Sequence, residues 1–310
     1  MAMFAPEIPT TAQLEASHAA DFDPTHVNAM RDRTSDILRN PETGLIVATG
    51  PCSPTGVSAL LHKESGMHIT VADRFSNVVG LYRRNIWKPR TDPNDWHGPE
   101  TSHPEKAFVD VAHGAMAHAN GAAELATIEH VERYGKFLTF GWFGARNNDL
   151  DMQIEIAKLD SSLPLGVKND VTGNVDNALE MIQLIREARG EGSAPVVLIY
   201  RGGTDAPTPE AWEEQFKRAN ELTMGSMILD IAHGGEMAHD PDQNFKKTVL
   251  GQIACAGHAK RLAELGHRPA GYMMESSSVV SLTDPNMPFE DGLRTTIELA
   301  TIVNNRGELR

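Results

Sequence analysis

Chemically active side chains follow a series of short apolar segments along this chain of 310 residues. Eight segments rich in Val, Ile and Leu occur between residues 44 and 276. At or just past the end of each lies a side chain that can bind a metal, an anion or a proton: Cys52, Arg83, Glu124, Arg146, Lys168, Arg201, His233 and Glu275. The stretch NIWKPRTD adds Lys88 and Arg90, and SLTDPN adds Asp284.

Part of this set has the chemistry of a metal site. It combines a thiol, an imidazole and two carboxylates, namely Cys52, His233, Glu275 and Asp284. Such mixed donors favour a borderline divalent ion, Mn, Fe, Co or Zn, over Ca or Mg. Two carboxylates and a thiolate exceed the charge of a dication, so the net charge of this site would stay negative.

The other part of the set is cationic and predicts an anion site. Its members are Arg83, Lys88, Arg146, Lys168 and Arg201. Cations gathered in one cavity would repel one another unless an anion binds there, and the Arg fork matches phosphate and carboxylate. The glycines after Arg201 would let backbone N–H groups approach an oxyanion.

Each residue has an ordinary structural explanation when it is taken alone. A single Cys after a strand is usually a small buried hydrophobe, and a single Arg is usually solvated. The joint occurrence at eight segment ends favours function. Cys255 serves as a contrast, because it lies in the helical pattern ACAGHAK, where we predict that it packs in the core. We interpret His258 and Glu264 of the same helix as surface residues.

The elements that must position these residues follow from hydrophobic periodicity. Strands are predicted over 44–50, 78–83, 122–127, 137–142, 163–168, 195–201, 226–233 and 270–276. Helical patterns occupy 177–189, the stretch that begins at Thr208-Pro209, and 243–265 with Gly266 as its stop. The segment MHITVAD is ambiguous between strand and helix, and the third strand is the weakest prediction. Alternating strands and helices indicate a parallel sheet, and eight such units predict an α/β protein with a (β/α)8 TIM barrel, whose chemistry sits at the carboxyl ends of the strands.

Composition and charge narrow the class of protein. The formal net charge of −14 disfavours nucleic acid and anionic membrane as partners. We find no run of about 18 apolar residues and no secretory signal pattern at the N-terminus. Two cysteines make a disulfide framework unexpected and favour a reducing cytoplasm. We predict an N-terminal arm and helix over residues 1–43, suited to an interface, and a catalytic barrel over 44–310.

Ordered motifs in the chain resemble a known family. They are GPCS at 50–53, KPRT at 88–91, GAR at 144–146, KN at 168–169, RGG at 201–203, His233 after ILDIA, MES at 274–276 and LTD at 282–284. The chain resembles the class I 3-deoxy-D-arabino-heptulosonate 7-phosphate (DAHP) synthases, and looks most like the branch regulated by aromatic amino acids. The resemblance runs from about residue 30 to 300.

This resemblance implies an enzyme of the shikimate pathway, which leads to the aromatic amino acids. It implies a transferase that condenses phosphoenolpyruvate (PEP) with erythrose 4-phosphate and releases phosphate. Cys52, His233, Glu275 and Asp284 would then bind the metal, with manganese among the candidates. Arg83, Lys88, Arg146, Lys168 and Arg201 would bind PEP, with Glu124 as the acidic residue of that pocket. The sugar phosphate would lie on Arg90 and Thr91. Cys52 and His233 would act in catalysis through the metal, and Lys88 as a proton shuttle.

Several positions depart from the family pattern and leave the aldehyde open. Pro54, Thr55 and Gly56 replace the usual His-Asp after GPCS, and NNDLD and GGEMAHD replace the polar runs after GAR and His233. The alternative is therefore a DAHP-synthase-like enzyme that uses a different aldehyde in secondary metabolism. The loop before Asp284 is short, so Glu290 and Asp291 remain alternative ligands.

The family also suggests how the chain is regulated and assembled. The stretch between Lys168 and Arg201 is too short for the regulatory hairpin of the inhibited branch, so we predict weak or no inhibition by Phe, Tyr or Trp. We expect a homodimer or homotetramer, because the family forms both.

Overall fold

A closed barrel of eight parallel strands forms the body of the protein. The computed structural model describes residues 24–50, 58–83, 121–125, 127–128, 131–132, 135–144, 149–170, 172–203, 206, 208–233, 248–277 and 287–307. The strands are β1 Leu45–Thr49, β2 Val78–Arg83, β3 Gly121–Glu124, β4 Leu138–Phe143, β5 Leu165–Lys168, β6 Val196–Tyr200, β7 Met227–Asp230 and β8 Gly271–Met273. Each strand pairs in parallel with the next, and β1 pairs with β8 to close the sheet. The predicted (β/α)8 TIM barrel is confirmed.

Helices cover the outside of the barrel. They are α1 Pro24–Arg39, α2 Ser58–Ala72, α3 Leu150–Leu159, α4 Val175–Arg189, α5 Pro209–Leu222, α6 Val249–Glu264 and α7 Phe289–Gly307, with short 3-10 turns at Pro41–Thr43 and Gly135–Phe137. In the described part of the chain, α4 is the only helix or strand between β5 and β6, so the structure shows no added hairpin there. No helix among the described residues is long and apolar enough to cross a membrane.

All eight predicted strands exist, but some of their bounds were wrong. The third strand, the weakest prediction, is present as the four residues of β3. The ambiguous segment MHITVAD belongs to α2 up to Ala72. The strand predicted over 226–233 ends at Asp230, and residues 231–233 form a helical turn. His233 therefore lies beyond β7 on a turn, and Asp230 occupies the strand end.

The strands are buried on both faces, which explains their continuous apolar runs. Ile46 and Ala48 belong to the buried apolar cluster inside the barrel, together with Phe140 and Trp142. Leu45 belongs instead to the apolar layer between the sheet and the helices. This alternation follows from the two-residue period of a strand. Cys255 lies in the outer layer and is buried, so the packing role predicted for it is confirmed.

Helix α1 packs against the amino ends of the strands. Ile37 and Leu38 join the cluster inside the barrel. The buried Arg31 donates hydrogen bonds from Nε to the carbonyl of Leu138 and from Nη2 to that of Gly135, both at 2.7 Å, close to the start of β4. The opposite, carboxyl ends of the strands are therefore the end at which a small molecule can bind.

Two helix ends match the sequence signals. The hydroxyl of Thr208 accepts the backbone N–H of Ala211, and Pro209 opens α5. Helix α6 ends in a Schellman motif, in which His267 N–H bonds to the Leu262 carbonyl and Gly266, at φ 99°, takes the C′ position. The interpretation of His258 as a surface residue was wrong, because its side chain is half-buried and contacts Glu213 at 2.6 Å, whereas Glu264 is exposed as predicted.

Candidate active site

The structure brings the described members of the predicted site to the carboxyl ends of the strands. Arg83, Glu124 and Lys168 are the last residues of β2, β3 and β5. Arg201 directly follows β6, and Glu275 lies two residues beyond β8. Because parallel strands end at the same edge, these side chains share one mouth of the barrel.

A buried ion pair joins the cationic set to the metal set. Arg83 Nη2 lies 2.8 Å from Glu275 Oε1, and the two side chains are 1% and 0% exposed. Arg83 Nη1 also donates to the carbonyl of Met274 at 3.3 Å. The predicted anion-binding arginine therefore has an acidic partner within the protein.

A second buried network centres on Asp230, which the sequence analysis did not identify. Its Oδ2 accepts Lys168 Nζ at 2.7 Å and His233 Nδ1 at 2.9 Å, and its Oδ1 accepts the backbone N–H of His233 at 3.2 Å. Asp230 is fully buried. One carboxylate thus contacts one residue of each predicted set.

The two buried cations lie near the ring of Trp142. Arg83 Cζ is 5.6 Å and Lys168 Nζ is 6.0 Å from the ring centroid. The face of an indole attracts cations, and more strongly when they are desolvated. Trp142 on β4 therefore lies beside both cations. The sequence did not indicate this role, because Trp142 stands in an apolar segment and looks like an ordinary core residue.

Asn169 holds the loop that carries Arg201. Its Oδ1 accepts the backbone N–H of Arg201 at 2.8 Å, and its Nδ2 donates to the carbonyl of Gly202 at 2.8 Å. Gly203 packs so closely on Gly173 that an added Cβ would lie 2.0 Å from the Cα of Gly173. Close approach of the loops after β5 and β6 therefore explains one of the glycines in RGG.

Burial and charge set the protonation of the Asp230 network. Burial opposes ionisation of Asp230, but His233, Lys168 and Arg83 hold its pKa well below the usual value. Burial lowers the pKa of His233 well below its ordinary value, with Asp230 opposing and Lys168 and Arg201 adding to the effect. Burial also lowers the pKa of Lys168, and Asp230 counteracts that shift. At neutral pH, Asp230 is therefore an ionised carboxylate that accepts a hydrogen bond from the neutral imidazole of His233.

The expectation that the cations would simply repel one another was incomplete. Glu275 and Asp230 neutralise Arg83 and Lys168 inside the protein. Glu124 contributes further negative charge near Lys168. The described part of the site is therefore a balanced cluster of buried charges. The sequence could not show this, because Asp230 sits within the apolar stretch ILDIAH.

The predicted metal set is described in part. No group of three or more His, Cys, Asp or Glu side chains suited to a metal occurs within the described ranges. His233 and Glu275 are described, and the Nδ1 of His233 contacts a buried carboxylate, which is the usual arrangement around a metal-binding histidine. Because a carboxylate only accepts, Nδ1 carries the proton and the lone pair lies on Nε2. His233 thus offers a nitrogen and Glu275 a carboxylate, and both suit a divalent metal. Asp291, one alternative to Asp284, instead pairs with Arg294 in the first turn of α7, beside the exposed Glu290.

The remaining predicted site residues lie outside the described ranges. They are Cys52, Lys88, Arg90, Thr91, Arg146 and Asp284. Their roles stay predictions.

The fold and the site define a class: a (β/α)8 barrel with a polar, charge-balanced site at the strand ends. No family model matches the chain. The chain is 23% identical over 326 residues to the Trp-sensitive phospho-2-dehydro-3-deoxyheptonate aldolase of Escherichia coli K12, covering 91% of this chain and 90% of that one. It is 25% identical over 300 residues to the phospho-2-dehydro-3-deoxyheptonate aldolase of Corynebacterium glutamicum, covering 87% and 78%.

A solved structure shares the fold. The phospho-2-dehydro-3-deoxyheptonate aldolase of Francisella tularensis SCHU S4 aligns with a TM-score of 0.74 at 18% identity over 99% of both chains. Phospho-2-dehydro-3-deoxyheptonate aldolase is another name for DAHP synthase. The chain is therefore similar in sequence to DAHP synthases and shares the fold of one of them.

Proposed function

We propose that this chain is an enzyme that condenses PEP with erythrose 4-phosphate to give DAHP and phosphate, with a divalent metal at the mouth of the barrel. The names of its relatives support this class of reaction. The observation that carries the proposal is the placement of buried Arg83 and Lys168, with Arg201, beside His233 and Glu275 at the strand ends.

The cationic side chains would bind the phosphate and carboxylate of PEP. Arg83, Lys168 and Arg201 would contact the anion directly, and Lys88 and Arg146 would add positive charge around it. Fixed cations in a buried site also stabilise the negative charge that develops on the phosphate oxygens as phosphate leaves C2 of PEP. Because these cations are already fixed in place, no rearrangement of water is needed when the negative charge develops.

The bond changes assign a task to each group. C3 of PEP forms a bond to the aldehyde carbon, water adds at C2, and phosphate leaves with cleavage of its C–O bond. Cys52, His233, Glu275 and Asp284 would hold the metal, which when bound supplies Lewis-acid polarisation of the aldehyde or of a water molecule. Lys88 would transfer a proton. Arg90 and Thr91 would bind the phosphate of the sugar.

A second candidate keeps the same chemistry with a different aldehyde in secondary metabolism. It is favoured by where the departures from the family pattern fall. The segments 54–56, 147–151 and 234–240 follow β1, β4 and β7 in the sequence. In a TIM barrel, substrate-binding residues come from the segments that follow the strands. The residues for PEP and metal persist in the sequence while these segments differ.

A phosphate-release assay separates these candidates. The full chain is incubated with PEP, Mn²⁺ and erythrose 4-phosphate, or with a panel of other aldehydes. Release with erythrose 4-phosphate supports the first candidate, and release only with another aldehyde supports the second. Absence of release with every aldehyde would contradict both.

Two variants test the anion site in the same assay. Lys168→Ala should raise the PEP concentration needed for half-maximal rate, because it removes a charge-assisted hydrogen bond to an anion. Lys158→Ala is the matched control, since Lys158 pairs with Glu155 on the exposed face of α3. Equal effects of the two variants would contradict the assignment of Lys168. We further propose a homodimer or homotetramer, which light scattering after size-exclusion chromatography would test.

A further inference from the structure

Asp230 connects the two halves of the candidate site through a single carboxylate. Its Oδ2 lies 2.7 Å from Lys168 Nζ and 2.9 Å from His233 Nδ1. Its Oδ1 also accepts the backbone N–H of His233 at 3.2 Å, which fixes the turn that follows β7. No other described acidic group is shown to contact residues of both predicted sets.

We propose that Asp230 is a positioning residue, which holds the anion-binding Lys168 and the metal-binding His233 in register so that both halves of the site depend on it. This inference rests on the proposed function. It assigns Asp230 no contact with substrate. Its effect would pass through the two side chains that it holds.

The chemistry of the carboxylate explains why an amide could not replace it. An ionised carboxylate accepts several N–H donors without donating, whereas Asn carries one acceptor oxygen and an NH₂ group that donates. In Asp230→Asn the amide oxygen could take the place of Oδ2, beside Lys168 Nζ and His233 Nδ1, or of Oδ1, beside the backbone N–H of His233. In either case the NH₂ group would face N–H donors at the other position. The Lys168 ammonium would also lose its buried counter-charge while Arg83 stays close.

Simple electrostatics and a positioning role predict opposite changes in PEP affinity for Asp230→Asn. Removing a negative charge from an anion site should tighten PEP binding if the cations stay in place. A positioning role predicts weaker PEP binding, because Lys168 leaves its place. The sign of the change therefore separates the two explanations.

The chain contains a matched control for this variant. Glu213 on α5 is also a buried carboxylate that accepts a histidine Nδ1, from His258 at 2.6 Å, and it pairs with Arg261. This cluster lies between α5 and α6 and not at the strand ends. Glu213→Gln therefore removes a buried carboxylate of the same kind without touching the candidate site.

The test measures binding rather than turnover. Mn²⁺ binding is followed by electron paramagnetic resonance, and PEP binding by calorimetry without aldehyde. Asp230→Asn should weaken Mn²⁺ binding about 10–100-fold and PEP binding about tenfold or more, while Glu213→Gln matches wild type. Unchanged Mn²⁺ binding, or PEP binding as tight as or tighter than wild type, would overturn the proposal. If wild type binds neither ligand, the proposed function fails and this inference fails with it.

A measurement on the wild-type chain keeps the proposal testable if Asp230→Asn does not fold. In ¹⁵N spectra of histidine-labelled protein without metal, the ring signals of His233 are assigned by their loss in His233→Gln. The proposal predicts the tautomer with a proton on Nδ1, donated to Asp230. A proton on Nε2 in place of Nδ1 would overturn it.

Discussion

Replacing Arg83 by Met should destabilise the protein strongly, because it breaks a fully buried ion pair. The Arg83 and Glu275 side chains are 1% and 0% exposed, and their charged atoms are 2.8 Å apart. Loss of one partner leaves the Glu275 carboxylate buried without that charge. Breaking a buried pair in this way costs about 3–5 kcal/mol. The free energy of unfolding, measured by urea titration, should fall by that amount.

Two further variants give this measurement its control and its functional meaning. Arg218→Met removes an arginine from a surface pair with Asp176, in which both side chains are more than 60% exposed, and should cost less than about 1 kcal/mol. The double variant Arg83→Met/Glu275→Leu should recover most of the lost stability, since apolar side chains of similar volume often replace a buried pair at little cost. It should nevertheless fail to bind PEP. An Arg83→Met variant no less stable than Arg218→Met would refute the buried pair on which the site geometry rests.

Three other predictions address different parts of the molecule. Burial lowers the pKa of His68 from 6.5 to about 4, so the stability that the neutral ring contributes is complete above pH 6.5 and is lost as the pH falls toward 4, a loss of about 3 kcal/mol. The urea midpoint should therefore change less with pH in His68→Gln than in wild type across this range. An identical pH dependence of the two midpoints would contradict the prediction. Asn169→Ala should raise the KM for PEP several-fold, because Asn169 supports the backbone of Arg201; an unchanged KM would argue against this. Cys52→Ala should abolish turnover and lower the metal content by elemental analysis while circular dichroism stays native, and retained metal with near-normal turnover would show that Cys52 is not a ligand.

Much of the fold could be predicted because a parallel barrel has a strong sequence pattern. Its strands are buried on both faces and appear as short apolar runs separated by amphipathic helices, as 195–201 before α5 illustrates. The segment MHITVAD was ambiguous because its β-branched residues suit a strand, whereas α2 packs it against β2. Tertiary packing, which local preference does not encode, decided that segment.

The candidate site was predicted less completely than the fold. Arg83, Lys168 and Glu275 stand out as charged residues at the ends of apolar runs, and the structure brings them together. Asp230 was missed because it lies inside such a run, and its partners become visible only when β5 and the turn after β7 meet. Trp142 looked like ordinary core for the same reason, since no sequence pattern shows which cations lie near its ring.

A crystal structure of the protein with Mn²⁺ and PEP would test the central claim most directly. We expect the metal on His233 and Glu275, with Cys52 among its ligands. The phosphate and carboxylate of PEP should contact Lys168 and Arg201 at the same end of the barrel. Metal bound away from His233, or PEP bound away from the strand ends, would contradict the proposed site.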